Sequence, residues 1–252
     1  MKRIIFLIST IIVCSCENSP VVIDEKFAPS IDSLYAQCAD LKGVGEFIIG
    51  KTTFSEAQSS SYYDDFSGQI MSNNLFRGHW GNTNFEKSSW LEKNAKHIKQ
   101  LPSPLLGIRI GELKFDDFCL AFLNDTLVAI YYESDSDVIH KHYIDKYGTG
   151  VGSFYTYHLD NEPCKDRSKL KVIDKKEEDR VWENETVKLQ YHLCDHHEMG
   201  PNFSISRTSY KESWYLLTSK KFYPVFLEEL EKIGKQYDDL KNKENENALN
   251  QL

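Results

Sequence analysis

The chain lacks the surplus of basic residues that nucleic-acid binding requires. Its 252 residues include 30 Lys and Arg against 38 Asp and Glu, which gives a net charge of −8 at pH 7 with histidine neutral. Affinity for a phosphate backbone depends on clustered Lys and Arg. The composition therefore argues against nucleic acid as a partner.

A long hydrophobic run and a catalytic motif are also missing. The apolar run at residues 4–13 is about half of the twenty or so residues that a helix needs to cross a membrane. The patterns G-x-S-x-G and H-E-x-x-H do not occur. The sequence thus predicts neither a transmembrane helix at this run nor a known type of active site.

The first sixteen residues follow the layout of a secretory signal. Lys2 and Arg3 precede the apolar run, and Cys14, Ser15 and Cys16 come after it. This stretch resembles the bacterial lipobox, in which a small residue precedes the lipidated cysteine and the peptide is cut between them. Cys14 departs from the usual pattern, and an ordinary cleaved signal is the alternative interpretation.

The lipobox resemblance implies a lipid anchor on Cys16. In that family the thiol carries a diacylglycerol and the new amine is usually acylated, with palmitate as a typical chain. Glu17, rather than Asp, follows the cysteine, which by resemblance implies sorting to the outer membrane of the cell envelope. The face on which the protein is exposed stays open.

The chain divides into four parts by pattern. We expect a signal peptide at 1–15, a lipidated tether at 16–29, a domain at 30–244 and a frayed tail at 245–252. The domain has room for two subdomains that split near residue 134. Proline at positions 20 and 29 discourages regular structure in the tether.

Hydrophobic periodicity predicts an α+β fold with antiparallel sheet and a C-terminal amphipathic helix. Ser30 caps a helix that Gly43 ends, Thr53 to Glu56 form a capping box for a second helix toward Phe66, and Asn124-Asp125 form a hairpin turn. Residues 67–104 read as a long loop with at most one helix, at 88–100. Strand-like runs come in succession without alternating helices, and they cover 105–112, 114–123, 126–133, 151–159, 169–174, 180–183, 186–194, 203–207 and 213–218.

Residues 45–52, Gly-Glu-Phe-Ile-Ile-Gly-Lys-Thr, match the P-loop pattern letter for letter. A working P-loop is a flexible turn whose backbone N–H groups surround phosphates, between a buried strand and a helix. Here the middle residues favour an extended strand, and Glu46 would repel a phosphate. We therefore expect the match to bind no nucleotide.

A second motif alternates along one predicted strand. His192, Cys194, His196 and Glu198 would project to the same side of an extended chain, where they could converge on a zinc-like ion. His140 and His142 could contribute from a helix, although nothing places them nearby. The alternative is a polar strand face that binds no metal, and we expect no cofactor.

Four cysteines follow Cys16. Cys38 and Cys119 lie on apolar faces, which predicts buried thiols. Cys164 and Cys194 lie in polar surroundings, and they are the candidate pair for a disulfide in an exported protein. A bridge there would remove the Cys194 thiolate from any metal site.

Residues 45–57 resemble the opening of small envelope lipoprotein domains of the SmpA/OmlA type. The segments 146–148 and 182–187 are similar to lipoproteins of Bacteroidetes-like bacteria. This resemblance implies a non-enzymatic binding or assembly role, with an unknown protein or glycan as partner and the membrane reached through the lipid. An envelope hydrolase or metal-dependent enzyme is the alternative function.

Overall fold

The computed structural model describes residues 21–62, 90–91, 93–102, 108–111, 113–115, 117–134, 137–161, 171–199 and 207–249. This part of the chain is α+β, with more strand than helix. Its strands are β1 (Val21–Phe27), β2 (Gly43–Val44), β3 (Phe47–Ile48), β4 (Ile98–Pro102), β5 (Ile108–Ile110), β6 (Leu113–Phe115), β7 (Phe118–Leu123), β8 (Thr126–Glu133), β9 (Val151–Asn161), β10 (Lys171–Glu183), β11 (Val187–Met199) and β12 (Arg207–Ser219).

Eight of these strands form one antiparallel sheet in the order β1-β9-β10-β11-β12-β8-β7-β4. The remaining strands form two short hairpins, β2-β3 and β5-β6. Between β7 and β8, Asn124 and Asp125 have φ angles of 48° and 67°, as a type I′ hairpin turn requires. The predicted turn at these two residues is confirmed.

Four helices are described: α1 (Ile31–Gln37), α2 (Phe54–Gln58), α3 (Asp137–Tyr147) and α4 (Tyr223–Leu249). Ser30 caps α1 through a bond from the Ser33 amide, as predicted. Gly148 follows α3 with a φ of +74°, which suits glycine after a helix. Within the described residues, no helix is both long and apolar enough to cross a membrane.

Apolar side chains pack on both faces of the sheet at β7, β8 and β12. On β12, Tyr215 and Leu217 belong to one buried cluster, whereas Leu216 belongs to another. Successive strand residues point to opposite faces, so the two clusters lie on opposite sides. The first cluster includes Leu34 of α1 and Ile139 of α3, and the second includes residues of α4. This packing buries every residue of β7.

The chain separates into two compact units. One contains residues 25–153, 178–193 and 212–252, and we call it the core unit. All the described buried residues belong to it. The other contains residues 1–24, 154–177 and 194–211, and we call it the open-strand unit. Residues on both sides of position 134 therefore belong to the same unit.

Two segments predicted to be irregular form strands instead. Residues 21–27 of the expected tether are β1, because the β-branched run Val21-Val22-Ile23 favours an extended pairing strand. The segment 88–104, expected to be a loop with at most one helix at 88–100, is helical at residues 90–91 and 93–94. It then contains β4, an edge strand that ends at Pro102. Proline is tolerated at that place because an edge strand leaves some N–H groups unpaired.

The lengths of several strands and helices also differ from the lengths that the sequence predicts. The described residues 171–174 of one predicted run and all of the other, 180–183, belong to one strand, β10, which pairs with β9 and β11. Helix α1 stops at Gln37 and α2 at Gln58, both before their predicted ends. Helix α4 runs to Leu249, past Glu244 where we expected its end. An ion pair of Glu244 with Lys241 supports that last part of the helix.

Candidate functional site

The P-loop match forms a tight hairpin that is fixed to the main sheet. Gly45 turns the chain between β2 and β3 with a φ of +59°. The Gly50 N–H donates to the Leu127 carbonyl over 2.8 Å, and the Leu127 N–H donates to the Thr52 carbonyl over 2.9 Å. The loop is therefore anchored at the start of β8.

The backbone amides of this loop are already bonded within the chain. The Ile48 N–H donates to the Thr52 hydroxyl over 2.8 Å. The N–H groups of residues 49 to 52 each donate to a carbonyl at 2.8–3.1 Å. A phosphate-binding loop needs these groups for its ligand. This geometry supports the expectation that the match binds no nucleotide.

Helix α2 begins directly after the loop with a reciprocal cap. The Thr53 hydroxyl accepts from the Glu56 amide over 3.3 Å, and the Glu56 carboxylate accepts from the Thr53 amide over 2.8 Å. The Thr53 hydroxyl also donates to the Glu56 carboxylate over 2.8 Å. The bonds that this carboxylate accepts from the Thr53 amide and hydroxyl lower the pKa of Glu56. The predicted capping box is confirmed.

A polar cavity of about 500 Å³ opens beside this loop and helix. Inside it the buried Ser60 hydroxyl donates a hydrogen bond to the Glu46 carboxylate. The Lys51 side chain is exposed at the same place. The cavity is lined by Glu46, Phe47, Ile48, Lys51, Thr52, Glu56, Ala57, Ser59, Ser60 and Ser61.

The lining of the cavity consists largely of groups that form hydrogen bonds. It offers hydroxyls, carboxylates and one ammonium to a polar ligand. Among the described residues that line it there is no histidine or cysteine. Both carboxylates are held by hydroxyl groups of neighbouring residues. The arrangement therefore suits recognition by hydrogen bonds.

The alternating residues of the expected metal motif lie on β11 as predicted. His192 Nδ1 is 2.8 Å from the Asp179 carboxylate, and the His192 ring lies 5.3 Å from the ring of Trp214. Cys194 and His196 also belong to β11, and the side chain of Glu198 lies outside the described residues. Across the described residues, no group of three or more His, Cys, Asp or Glu could hold a metal ion.

A buried ionic cluster lies between α3 and β10, and sequence reasoning missed it. His140 Nε2 is 3.0 Å from the Glu178 carboxylate, to which the Arg180 guanidinium also donates. Arg180 further donates to the Thr149 carbonyl over 2.6 Å. Burial would raise the pKa of Glu178, but the bonds from His140 and Arg180 outweigh it and lower that pKa to about 2.

This ionic cluster is structural. The His140 ring stacks on Tyr191 at 4.3 Å, and its Nδ1 is buried without a hydrogen-bond partner in the described part of the chain. A general base would need that nitrogen within reach of a substrate. Alternation along β10 could have revealed the cluster, because Glu178 and Arg180 share a strand face with the buried Trp182.

The open-strand unit differs from the core unit because none of its described residues is buried. Aromatic and basic side chains pair along its strands. Lys175 Nζ lies 5.9 Å from the centre of the Tyr155 ring, and Lys176 Nζ lies 5.5 Å from that of Phe154. The unit thus exposes polar and aromatic groups together.

The thiols at the two apolar positions are buried, as predicted for Cys38 and Cys119. Burial raises the pKa of Cys38 to about 11. Cys16 and Cys164 lie outside the described residues, so the lipid anchor and the Cys164–Cys194 bridge stay predictions.

Comparisons with protein-family models, curated proteins and solved structures found no match for this chain.

Proposed function

We propose that the chain is a lipid-anchored binding protein of the bacterial envelope that performs no chemistry of its own. The lipobox at Cys16 supports the anchor, and Glu17 supports the outer membrane as its location. The polar cavity beside α2 supports the binding role. Its ligand is an envelope protein or a glycan, reached while the lipid holds the chain at the membrane.

One observation carries the binding role, namely the state of the two carboxylates in the cavity. Glu46 accepts from the Ser60 hydroxyl and Glu56 accepts from the Thr53 hydroxyl, so both carboxylates are held in place as hydrogen-bond acceptors. Each can still accept a further hydrogen bond from a ligand, because a carboxylate has several acceptor positions. A cavity with this lining can bind a ligand that donates hydrogen bonds from hydroxyl or amide groups.

The anchor is tested by replacing the lipidated cysteine. Cells that express Cys16→Ser should lose incorporation of labelled palmitate and partitioning of the protein into membranes. Cys14→Ser is the matched control, and it should keep both. Labelled, membrane-bound Cys16→Ser protein would exclude the lipobox interpretation.

The binding role is tested by photo-crosslinking in intact cells. A benzophenone amino acid at Ser61, an exposed residue of the cavity, should give a discrete adduct on irradiation. The same group at Ser33, an exposed serine of α1, is the control and should give none. Equal patterns from both sites would reject the cavity as the binding site.

A further inference from the structure

We propose that the open-strand unit lies against the surface of the bilayer that holds the lipid anchor. Its exposed apolar and aromatic side chains would then sit at the level of the lipid headgroups. The inference rests on the proposed anchor at Cys16, and it adds the surface by which the folded chain meets the membrane.

The short connection to the anchor limits the distance between β1 and the membrane. Five Cα–Cα steps separate Cys16 from Val21, the first residue of β1. A fully extended chain covers at most about 3.6 Å per step, so the connection reaches about 18 Å. The first residues of β1 therefore stay close to the headgroups for as long as the lipid is inserted.

The side chains at that end of β1 are apolar and exposed. Val21, Val22 and Ile23 expose 57%, 52% and 43% of their surface, and Tyr210 of the same unit exposes 48%. These residues have no buried core within their own unit, because none of its described residues is buried. Contact with a bilayer would remove their apolar surface from water.

The aromatic and basic pairs of the unit suit a membrane interface. Tyrosine prefers the headgroup level, where its ring is shielded and its hydroxyl stays wet. Lysine can extend its ammonium to lipid phosphates while its carbon chain lies along an apolar surface. Each face of these strands carries one such pair, because successive strand residues point to opposite faces. Lys175 pairs with Tyr155 on one face, and Lys176 pairs with Phe154 on the other.

The open-strand unit carries little net charge. From residue 16 onward, its segments contain 8 basic and 9 acidic residues, together with three histidines. Membrane surfaces that carry anionic lipids repel acidic protein. A net charge this small leaves only weak repulsion between the unit and such a surface.

The test uses the lipidated full-length protein in vesicles of phosphatidylethanolamine and phosphatidylglycerol that contain tritiated lipid. A benzophenone amino acid replaces Val22 or, in a separate protein, Tyr210. Val138 of α3 is the matched control, because it is an exposed valine of the core unit at 62%. On irradiation, we expect at least a fivefold excess of tritium on the Val22 and Tyr210 proteins over the Val138 protein.

Two results would overturn the inference. Equal labelling at all three positions would show no preferred surface. Adducts between two copies of the chain, or with an added envelope extract, in place of lipid adducts would assign the surface to a protein. Palmitate on Cys16 is measured in the same samples, so a protein without the lipid indicates failure of the proposed anchor. A lipidated protein with equal labelling indicates failure of this inference alone.

Discussion

Asn184 links the segment after α1 to the turn between β10 and β11, and its removal should be among the most destabilising single substitutions. Its amide nitrogen donates to the Cys38 and Leu41 carbonyls, each over 2.8 Å. Its amide oxygen accepts from the Thr186 and Val187 backbone N–H groups at 2.9 and 3.0 Å. Only 8% of the residue is exposed, so water replaces these partners poorly.

The expected loss follows from the hydrogen bonds removed. Asn184→Ala removes four bonds to backbone groups, and each lost bond of this kind costs about 1 kcal/mol. The Cys38 carbonyl keeps the Leu41 N–H as a donor over 2.9 Å, whereas the other three groups lose a partner in the buried interior. We therefore expect the free energy of unfolding to fall by about 4 kcal/mol. That is a large share of the roughly 5–15 kcal/mol of a typical domain.

Urea unfolding of a Cys16→Ser form, followed by tryptophan fluorescence, measures this loss. The buried Trp182 is two residues away and reports on the same region. Asn94→Ala is the matched control, because that amide makes one exposed bond to the Trp90 carbonyl over 2.8 Å. The control should change stability by less than about 0.5 kcal/mol. A loss below about 1 kcal/mol for Asn184→Ala would refute the reasoning.

Four further predictions concern the other features of the chain. Thr53→Ala should cost about 1 kcal/mol through loss of the helix cap, and unchanged thermal unfolding would contradict it. Glu178→Gln should cost about 3 kcal/mol at pH 7. Because its pKa is lowered to about 2, the carboxylate stabilises the fold above about pH 4.5, and this advantage over glutamine disappears as the pH falls through 2. In calorimetry, neither the native chain nor Lys51→Ala should bind ATP, and a dissociation constant in the micromolar range would contradict the prediction that the P-loop match binds no nucleotide. Thiol counting under denaturing, non-reducing conditions should find two free thiols of four, with a bridge between Cys164 and Cys194, whereas four thiols with bound zinc would favour the metal site.

The sequence predicted correctly those features that depend on interactions between residues close together in the chain. Ser30 and Thr53 cap their helices, and Asn124-Asp125 turn the hairpin, because each acts on groups within a few residues. The fold class followed from the succession of strands without helices between them. These features need no knowledge of the rest of the chain.

The pattern of residues along the sequence could not predict contacts between residues that are far apart in the chain. β1 looked like a tether because its pairing partner, β9, begins more than a hundred residues later. The ionic cluster of His140 and Glu178 joins a helix to a strand that no local spacing connects. The cavity beside α2 forms only because the loop at 45–52 is held against β8.

The position of β12 has a consequence for the order in which the chain folds. β12 is the last strand in the sequence, yet it lies inside the sheet, between β11 and β8. Before β12 pairs, the sheet consists of two separate parts, β1-β9-β10-β11 and β8-β7-β4. Each part then has an unpaired edge, at β11 in the first and at β8 in the second. Such long-range closure makes folding slow. A chain released before residue 207 would therefore keep these two edges open, and it should be a target for proteases and chaperones.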